Sequence, residues 1–497
     1  MADIPDCKAL KRNAKTPDGN DEEIDRLSAL PDEILCHVLS FLYSTEDAAL
    51  TSVLSTRWRN LFVQLPDVYL SINTARPFMG EDADPDLMFP DFLNFGFRLI
   101  LRRNGAPLRK FRLFVRPCGD NYRLGIHSLI SAALLCKVKE LDICLMEDET
   151  SRLSPPLMFT CKTLVSLKLW KAVDLIIPDL VSLPNLKVMH LIGFKMVDEG
   201  SIQRFIDCCP LLEELILNFD HLSNMDGVLD ISSLLLRKLE LGCLEGEFSV
   251  VLKLTHLEYL EFVDYGNHKV YLDTPNVKYF KYTGYASDIS FVRNMSSLVR
   301  ATIGLEFNPE EITESSLLVR SQRGFELIKG LQSVKSLHLY GQSLQMVYYC
   351  QQSLPTFSKL KSLELDTSID GDFDHVLFWK VVPSLLEIAP NLEVLIFPFV
   401  YRYELYVEEF SCFWPKTIPA SFIQHLKEIE IERFRGQEDQ FKLVEHLLEN
   451  GKSLKKMTVG VVIKPWLSWS EECNRILSFR KCSKDCQVVF VRTYDWD

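Results

Sequence analysis

From about residue 108 onward one apolar pattern keeps returning: apolar-x-x-apolar-x-apolar. It opens at Leu108, Val138, Leu164, Leu186, Leu212, Leu236, Leu257, Val277, Leu298, Val334, Leu360, Leu392, Leu426 and Leu454, at intervals of 20 to 36 residues. A period of that length confines a chain to stacked units, because each unit has one apolar face and can bury it only against its neighbours. The triplet alone is weak: with 47% apolar residues, three fixed positions match by chance about a tenth of the time. The following position decides the matter. It is charged in 12 of the 14 units (Arg109, Lys139, Lys187, Glu213, Arg237, Glu258, Lys278, Lys335, Lys361, Glu393, Lys427, Lys455) and breaks only at Val165 and Val299. Composition alone predicts about three or four such charges. Pro184, Pro210, Pro275 and Pro390 each stand two residues upstream of a unit and mark a turn before it.

The period predicts an α/β solenoid of the leucine-rich-repeat kind: one strand per unit, stacked in parallel, with a helix or irregular segment returning on the other face. Pattern positions four and six point inward, and the residue between them faces outward on the concave side. That phase nominates Arg112, Asp142, Lys168, His190, Glu240, Glu261, Lys281, His338 and Glu364 as candidate partner-binding residues. Ile216, Thr302, Ile396, Glu430 and Thr458 complete the row, with His190 and His338 read as exposed or partner-contacting. A row so mixed in sign suits a protein partner better than a polyanion. The Asn or Cys usual eight residues after the first leucine is absent from every unit, which predicts irregular turns and an uneven arc.

Residues 25–65 have another character. Pro31 suits the first position of a helix, and Ile34, Leu35, Val38, Leu39 and Leu42 fall on one helical face. Ser44 with Asp47 reads as a capping box ahead of Ala48, Ala49, Val53 and Leu54, and a third short helix presents Trp58, Leu61, Phe62 and Leu65. Three short helices bury too little surface to stand alone, so this unit must dock on something. Residues 1–24 read as a flexible polar tail, with Lys8, Lys11, Arg12 and Lys15 as a weak nuclear-import pattern. Residues 66–105 read as a linker with a helical end and an acidic loop over 79–86.

Net charge is −13, which argues against nucleic acid or an anionic membrane as partner. No signal-peptide or membrane-spanning stretch is visible, so an intracellular location, cytoplasmic or nuclear, is expected. The 14 cysteines then read as reduced, mostly buried thiols. No catalytic constellation survives inspection. Gly451-Lys452-Ser453 resembles the end of a phosphate-binding loop, but His446 occupies the position of its required glycine. His-Glu-x-x-His and Gly-x-Ser-x-Gly do not occur, and Cys473, Cys482 and Cys486 lack zinc-ligand spacing. Neither a metal nor a cofactor is expected. Asn294 opens a glycosylation acceptor that has no meaning without secretion. Arg98, Arg102, Arg103, Arg109, Lys110, Arg112 and Arg116 form a basic cluster, read as a solvated face in preference to an anion site.

Two stretches carry a family resemblance. Residues 25–62, DRLSALPDEILCHVLSFLYSTEDAALTSVLSTRWRNLF, resemble the F-box of the plant group that joins an F-box, leucine-rich repeats and a C-terminal FBD domain. Residues 413–459, with Trp414-Pro415, Phe434-Arg435-Gly436, Leu447-Leu448 and Leu454-Lys455-Lys456-Met457, resemble the FBD motif. Tyr43 stands where the family usually has Pro, and Phe62 where it has a second Trp.

The resemblance implies an F-box over 25–65, repeats over 106–412 and an FBD-like domain over 413–497. It further implies a non-catalytic substrate-recognition subunit of a cullin–RING ubiquitin ligase, which binds a Skp-type adaptor and through it a cullin. By matching position the adaptor contact falls to Leu30, Pro31, Ile34, Leu35, Leu39 and Leu42, with Val53, Leu54 and Trp58 closing the helical unit. The protein substrate is not implied. A second reading is a co-receptor that holds a small molecule or hormone on the concave surface.

Overall fold

The computed structural model describes residues 30–72, 85–115, 123–145, 156–170, 180–194, 200–219, 227–244, 248–266, 268–286, 295–307, 314–350, 354–366, 375–398, 424–462 and 470–493, together with Leu27 and Pro178. The N-terminal tail, Arg116, Asn294 and the Trp414-Pro415 pair lie outside the described residues. The chain divides into two compact units, Met1–Leu65 and Pro66–Asp497.

The first unit holds α1 (Asp32–Leu39), α2 (Thr45–Leu50) and α3 (Trp58–Leu61), with 3-10 turns over Thr51–Val53 and Phe62–Gln64. Pro31 is the cap before α1 and not its first residue, with φ −58° and ψ 153°. Ser44 caps α2 as its spacing from Asp47 requires: its Oγ accepts from Asp47 N at 3.1 Å and donates to Asp47 Oδ2 at 2.9 Å. Leu35, Leu39, Ala48, Trp58 and Leu61 are buried.

The second unit is built on strands that follow the repeat. They are β1 (Asp67–Ser71), β2 (Lys110–Val115), β3 (Glu140–Leu145), β4 (Ser166–Trp170), β5 (Val188–Phe194), β6 (Glu214–Phe219), β7 (Val228–Ser232) and β8 (Lys238–Leu244). Then come β9 (Ser249–Lys253), β10 (Tyr259–Asp264), β11 (Lys269–Asp273), β12 (Tyr279–Tyr285), β13 (Arg300–Glu306) and β14 (Ser336–Gly341). The last are β15 (Ser362–Asp366), β16 (Val394–Phe397), β17 (Glu428–Phe434), β18 (Lys456–Val462) and β19 (Gln487–Thr493). Among the described residues, 16 of these strands form one parallel sheet, in chain order except that β7, β9 and β11 form a second sheet of three.

The ladder starts at the charged position. The carbonyl of Arg237 accepts from Glu258 N at 2.8 Å and from Tyr259 N at 3.0 Å, and the same double acceptance recurs at Lys139, Glu213, Glu258, Lys335 and Lys427. The side chains of that position line up from unit to unit and pair laterally. Lys187 reaches Glu213 at 2.7 Å, Lys278 reaches Glu258 at 2.9 Å, and Glu393 lies between Lys361 (2.5 Å) and Lys427 (2.6 Å). Two flanking ammonium groups pull the Glu393 carboxyl down to about 2. The charge rule of the sequence is therefore the exposed margin of the sheet, where an ionised side chain stays hydrated beside its strand neighbour.

Positions one, four and six form the core. Leu236, Leu239 and Leu241, then Leu257, Leu260 and Phe262, then Val277, Phe280 and Tyr282 are all buried. Each such leucine contributes about 1.5–3 kcal/mol of transfer free energy.

The length of each unit decides how the chain returns. Units opening at Leu108, Leu298 and Leu360 have room for helices Arg123–Leu135, Glu314–Gly330 and His375–Ile388. The short units opening at Leu236 and Leu257 return through β9 and β11, whose alternation of inward Val and Leu with outward Lys, Tyr and Asp is a strand pattern. A helical or irregular return was expected throughout; a third form, the strand, holds here.

Residues 66–105 have the expected helical end but are not a linker ahead of it. They supply β1, which pairs with β2 from Asp67 to Ser71, and the helix Pro85–Arg102, to which Pro85 and Asp86 of the expected loop belong. Gly125 stands where a Cβ would meet Leu93 Cδ1 of that helix at 2.4 Å, which lets the first two return helices approach. At the far end β19 extends the sheet beyond the fourteenth unit. Three of the strand pairings carry register shifts, after Ile192, Phe262 and Ile431.

Candidate functional site

Two surfaces collect the candidate residues. On the helical unit, Ile34 and Val38 sit one turn apart on the outer face of α1, 46% and 43% exposed. Leu27, Phe41, Leu42, Tyr43 and Leu50 are also exposed, and Val53 and Leu54 are 85% and 64% exposed. So much apolar side chain on so small a unit marks a docking face. Its members differ from the sequence expectation. Leu35 and Leu39 are buried, because the inner side of α1 supplies the core, and they add nothing to this exposed surface. Trp58 is buried and does close the unit, whereas Val53 and Leu54 do not; they lie on the 3-10 turn and the bend that follows, pointing outward. Leu30 is half-buried and Pro31 exposed. Val38, Phe41 and Leu50 were missed as candidates, although the helical phase of Ile34 reaches Val38.

Polar contacts tie this unit together. Arg57 lies 2.6 Å from Asp32 Oδ1 and donates to Leu30 O at 2.5 Å. Cys36 Sγ donates to Leu61 O at 3.7 Å.

On the solenoid, the nominated concave residues lie in one unbroken register. Arg112 pairs with Asp142, Asp142 with Lys168, Lys168 with His190, and His190 with Ile216. The row runs on through Glu240, Glu261, Lys281, Thr302, His338 and Glu364. Availability varies along it. Asp142 is buried, held by Arg112 Nε at 2.8 Å and by Trp170 Nε1 at 3.1 Å. His190 is 7% exposed, its Nε2 2.9 Å from Glu214 Oε1, so the expectation of an exposed His190 fails. Burial is what holds its pKa below the usual histidine value. His338 is half-buried, and burial lowers its pKa too.

Neighbouring rows add residues that phase counting left out. Lys238 bridges Glu214 at 3.2 Å and Glu240 at 2.8 Å. Lys281 meets Glu261 at 2.8 Å, and burial, which lowers its pKa, is outweighed by that carboxylate. Tyr340 reaches from β14 across β13 to place its hydroxyl 2.5 Å from Thr283 Oγ1. Its ring lies over Gly304, where a Cβ would come 2.0 Å from Tyr340 Cζ. Toward β15–β17 the row turns acidic. Burial first, then Asp366 and Glu430, raise the Glu364 carboxyl; burial, then Glu430, Glu364 and Asp366, raise Glu432.

Three members of the basic cluster form separate ion pairs, while Arg98 and Arg102 are exposed. Arg109 binds Asp67, Lys110 lies 3.7 Å from Glu140, and Arg112 binds Asp142 while stacking 5.3 Å over the Tyr69 ring. Arg103 is buried and donates to Pro107 O at 3.0 Å. Cys473, Cys482 and Cys486 are free thiols. Among the described residues no helix is long and apolar enough to cross a membrane.

Two family models match the chain. Residues 126–280 match the repeats described as FBD-associated F-box protein At5g56370, LRR repeats, and residues 415–459 match FBD. Relatives in Arabidopsis thaliana cover most of the chain. F-box/LRR-repeat protein 13 is 31% identical over 455 residues, 88% of this chain and 90% of the relative. F-box/LRR-repeat protein At3g59190 is 31% identical over 408 residues, 79% of this chain and 97% of the relative. F-box/FBD/LRR-repeat protein At1g78750 is 29% identical over 494 residues, 94% of this chain and 97% of the relative.

Proposed function

Since the chain belongs to the plant F-box/FBD/leucine-rich-repeat family, we propose that it is the substrate-recognition subunit of an SCF-type ubiquitin ligase. In this reading the F-box binds a Skp-type adaptor, the adaptor joins a cullin, and the repeats and FBD region bind a protein substrate. The observation that carries it is the exposed apolar face of the helical unit, made by Ile34, Val38, Phe41, Leu42, Val53 and Leu54. Exposed apolar side chains concentrated in this way mark interaction sites.

The chemistry belongs elsewhere in the complex. A receptor that holds a substrate near a ubiquitin-loaded enzyme contributes effective concentration and orientation and needs no active site of its own. Pattern residues that keep at least partial exposure, Arg112, Lys168, Glu240, Glu261, Lys281, His338 and Glu364, together with Tyr340, are then the substrate-facing set. Asp142 and His190 shape that surface from below. Of the basic residues that motivate the co-receptor reading, Arg109, Lys110 and Arg112 lie against carboxylates.

The test is adaptor capture by the full chain. Val53→Asp with Leu54→Asp is expected to abolish capture that the unaltered chain shows. Equal capture by both would remove the assigned face, and no capture by the unaltered chain would remove the ligase reading.

A further inference from the structure

We propose that Arg57 is the positioning residue of the adaptor-docking face, a clamp between the segment that starts α1 and the segment that starts α3. The inference rests on the adaptor reading above and concerns how that face keeps its shape. Pro31 supplies no side-chain cap to α1, and a helix of eight residues is marginal by itself. Arg57 does not cap the N–H groups of α1; it restrains the same segment from a distance. Its Nε donates to Asp32 Oδ1 at 2.7 Å, and its Nη2 donates to Leu30 O at 2.5 Å. One planar guanidinium thus holds an acceptor on each side of Pro31, across 25 and 27 residues of chain. A fork of fixed donors can satisfy both acceptors at once, whereas a lysine ammonium offers a single point.

The base of the clamp is rigid, because Arg57 directly precedes α3 and the buried Trp58. The segments it joins carry the exposed side chains at issue. Ile34 lies two residues beyond Asp32, while Val53 and Leu54 lie three to four residues before Arg57. An ion pair with side chains 37% and 48% exposed adds little to stability. Its effect lies in preorganisation: fixing the two segments before the partner arrives removes an ordering cost from association.

The experiment compares full-length wild type with R57A, R57K, R57D, D32N and the swap D32R/R57D. Binding to an immobilised recombinant Skp-type adaptor is read by interferometry, with circular dichroism and thermal unfolding alongside. R57A is expected to weaken binding about three- to tenfold while the helical signal and unfolding midpoint stay at wild-type values. R57K should fall between, the swap should recover part of the R57D loss, and D32N should lose less than R57A because the bond to Leu30 O remains. R57A binding at wild-type strength, with wild type bound, overturns the clamp and leaves the docking reading intact. A lowered midpoint in R57A passes the decision to R57K and the swap. If neither recovers binding, the clamp is overturned. Absence of wild-type binding removes the docking reading itself.

Discussion

At the residue scale, backbone room decides more than side-chain chemistry at Gly284. Gly284 sits at φ +122°, and a Cβ there would lie 1.8 Å from the carbonyl oxygen of Asp264. That oxygen belongs to a strand and cannot retreat. Gly284→Ala is therefore expected to cost about 2–3 kcal/mol, from a strained φ together with displaced backbone, read as a lowered midpoint in chemical denaturation. Next to it lies a polar core: Tyr282 donates to Asp264 Oδ2 at 2.9 Å, and His268 Nε2 faces Asp264 Oδ1 at 3.3 Å, with His268 and Asp264 fully buried. His190 gives a pH prediction. Its pKa is lowered by burial, so the folded state resists protonation more than the unfolded chain does. Its contribution to stability is complete above the unfolded value near ~6.5 and is lost as pH falls through the lower folded value. His190→Gln should show a smaller drop in thermal midpoint between pH 7.5 and 5.5 than wild type; an equal drop would assign the acid sensitivity elsewhere.

At the element scale, the helical unit separates core from face more sharply than its sequence pattern does. Ile34, Leu35, Val38 and Leu39 form one apolar stripe by periodicity, yet Leu35 and Leu39 turn inward and Ile34 and Val38 outward. A stripe wide enough to serve two partners is split only by knowing which elements flank it. Leu39→Ala is expected to destabilise this unit by about 2–5 kcal/mol and to weaken adaptor capture through loss of fold. Val53→Ala should weaken capture with the unfolding midpoint unchanged, since an exposed side chain has little folded-state packing to lose. Circular dichroism beside a binding assay tells the two apart. The return segments follow a similar rule: the span between strands sets whether a helix fits, and local alternation then chooses strand over loop.

At the scale of the whole molecule, the repeat behaves as a chain of nearest neighbours. Leu260 is buried, and its strand registers with β8 and β12, the neighbouring units. Leu260→Ala should raise hydrogen exchange in β8, β10 and β12 while β2–β4 keep wild-type protection, because stability in a solenoid is summed over local interfaces. Uniform loosening across the sheet would contradict that picture.

The sequence by itself determined the period, the inward positions and the concave register. Those depend on alternation along a strand, and alternation is a local property. It did not reach β1: Leu65, Val68 and Leu70 fit the pattern, but Pro66 in the charged position and the acidic stretch beyond read as a linker. It could not reach β19, where Asp485 stands in the first apolar position. Only the tertiary structure decided which in-register residues remain available. Asp142 and His190 are lost to Arg112, Trp170 and Glu214, residues 24 to 30 positions away in the chain. Whether a side chain is free depends on the reach of its lateral neighbours. Those neighbours are brought together by stacking, and no window along the chain contains them.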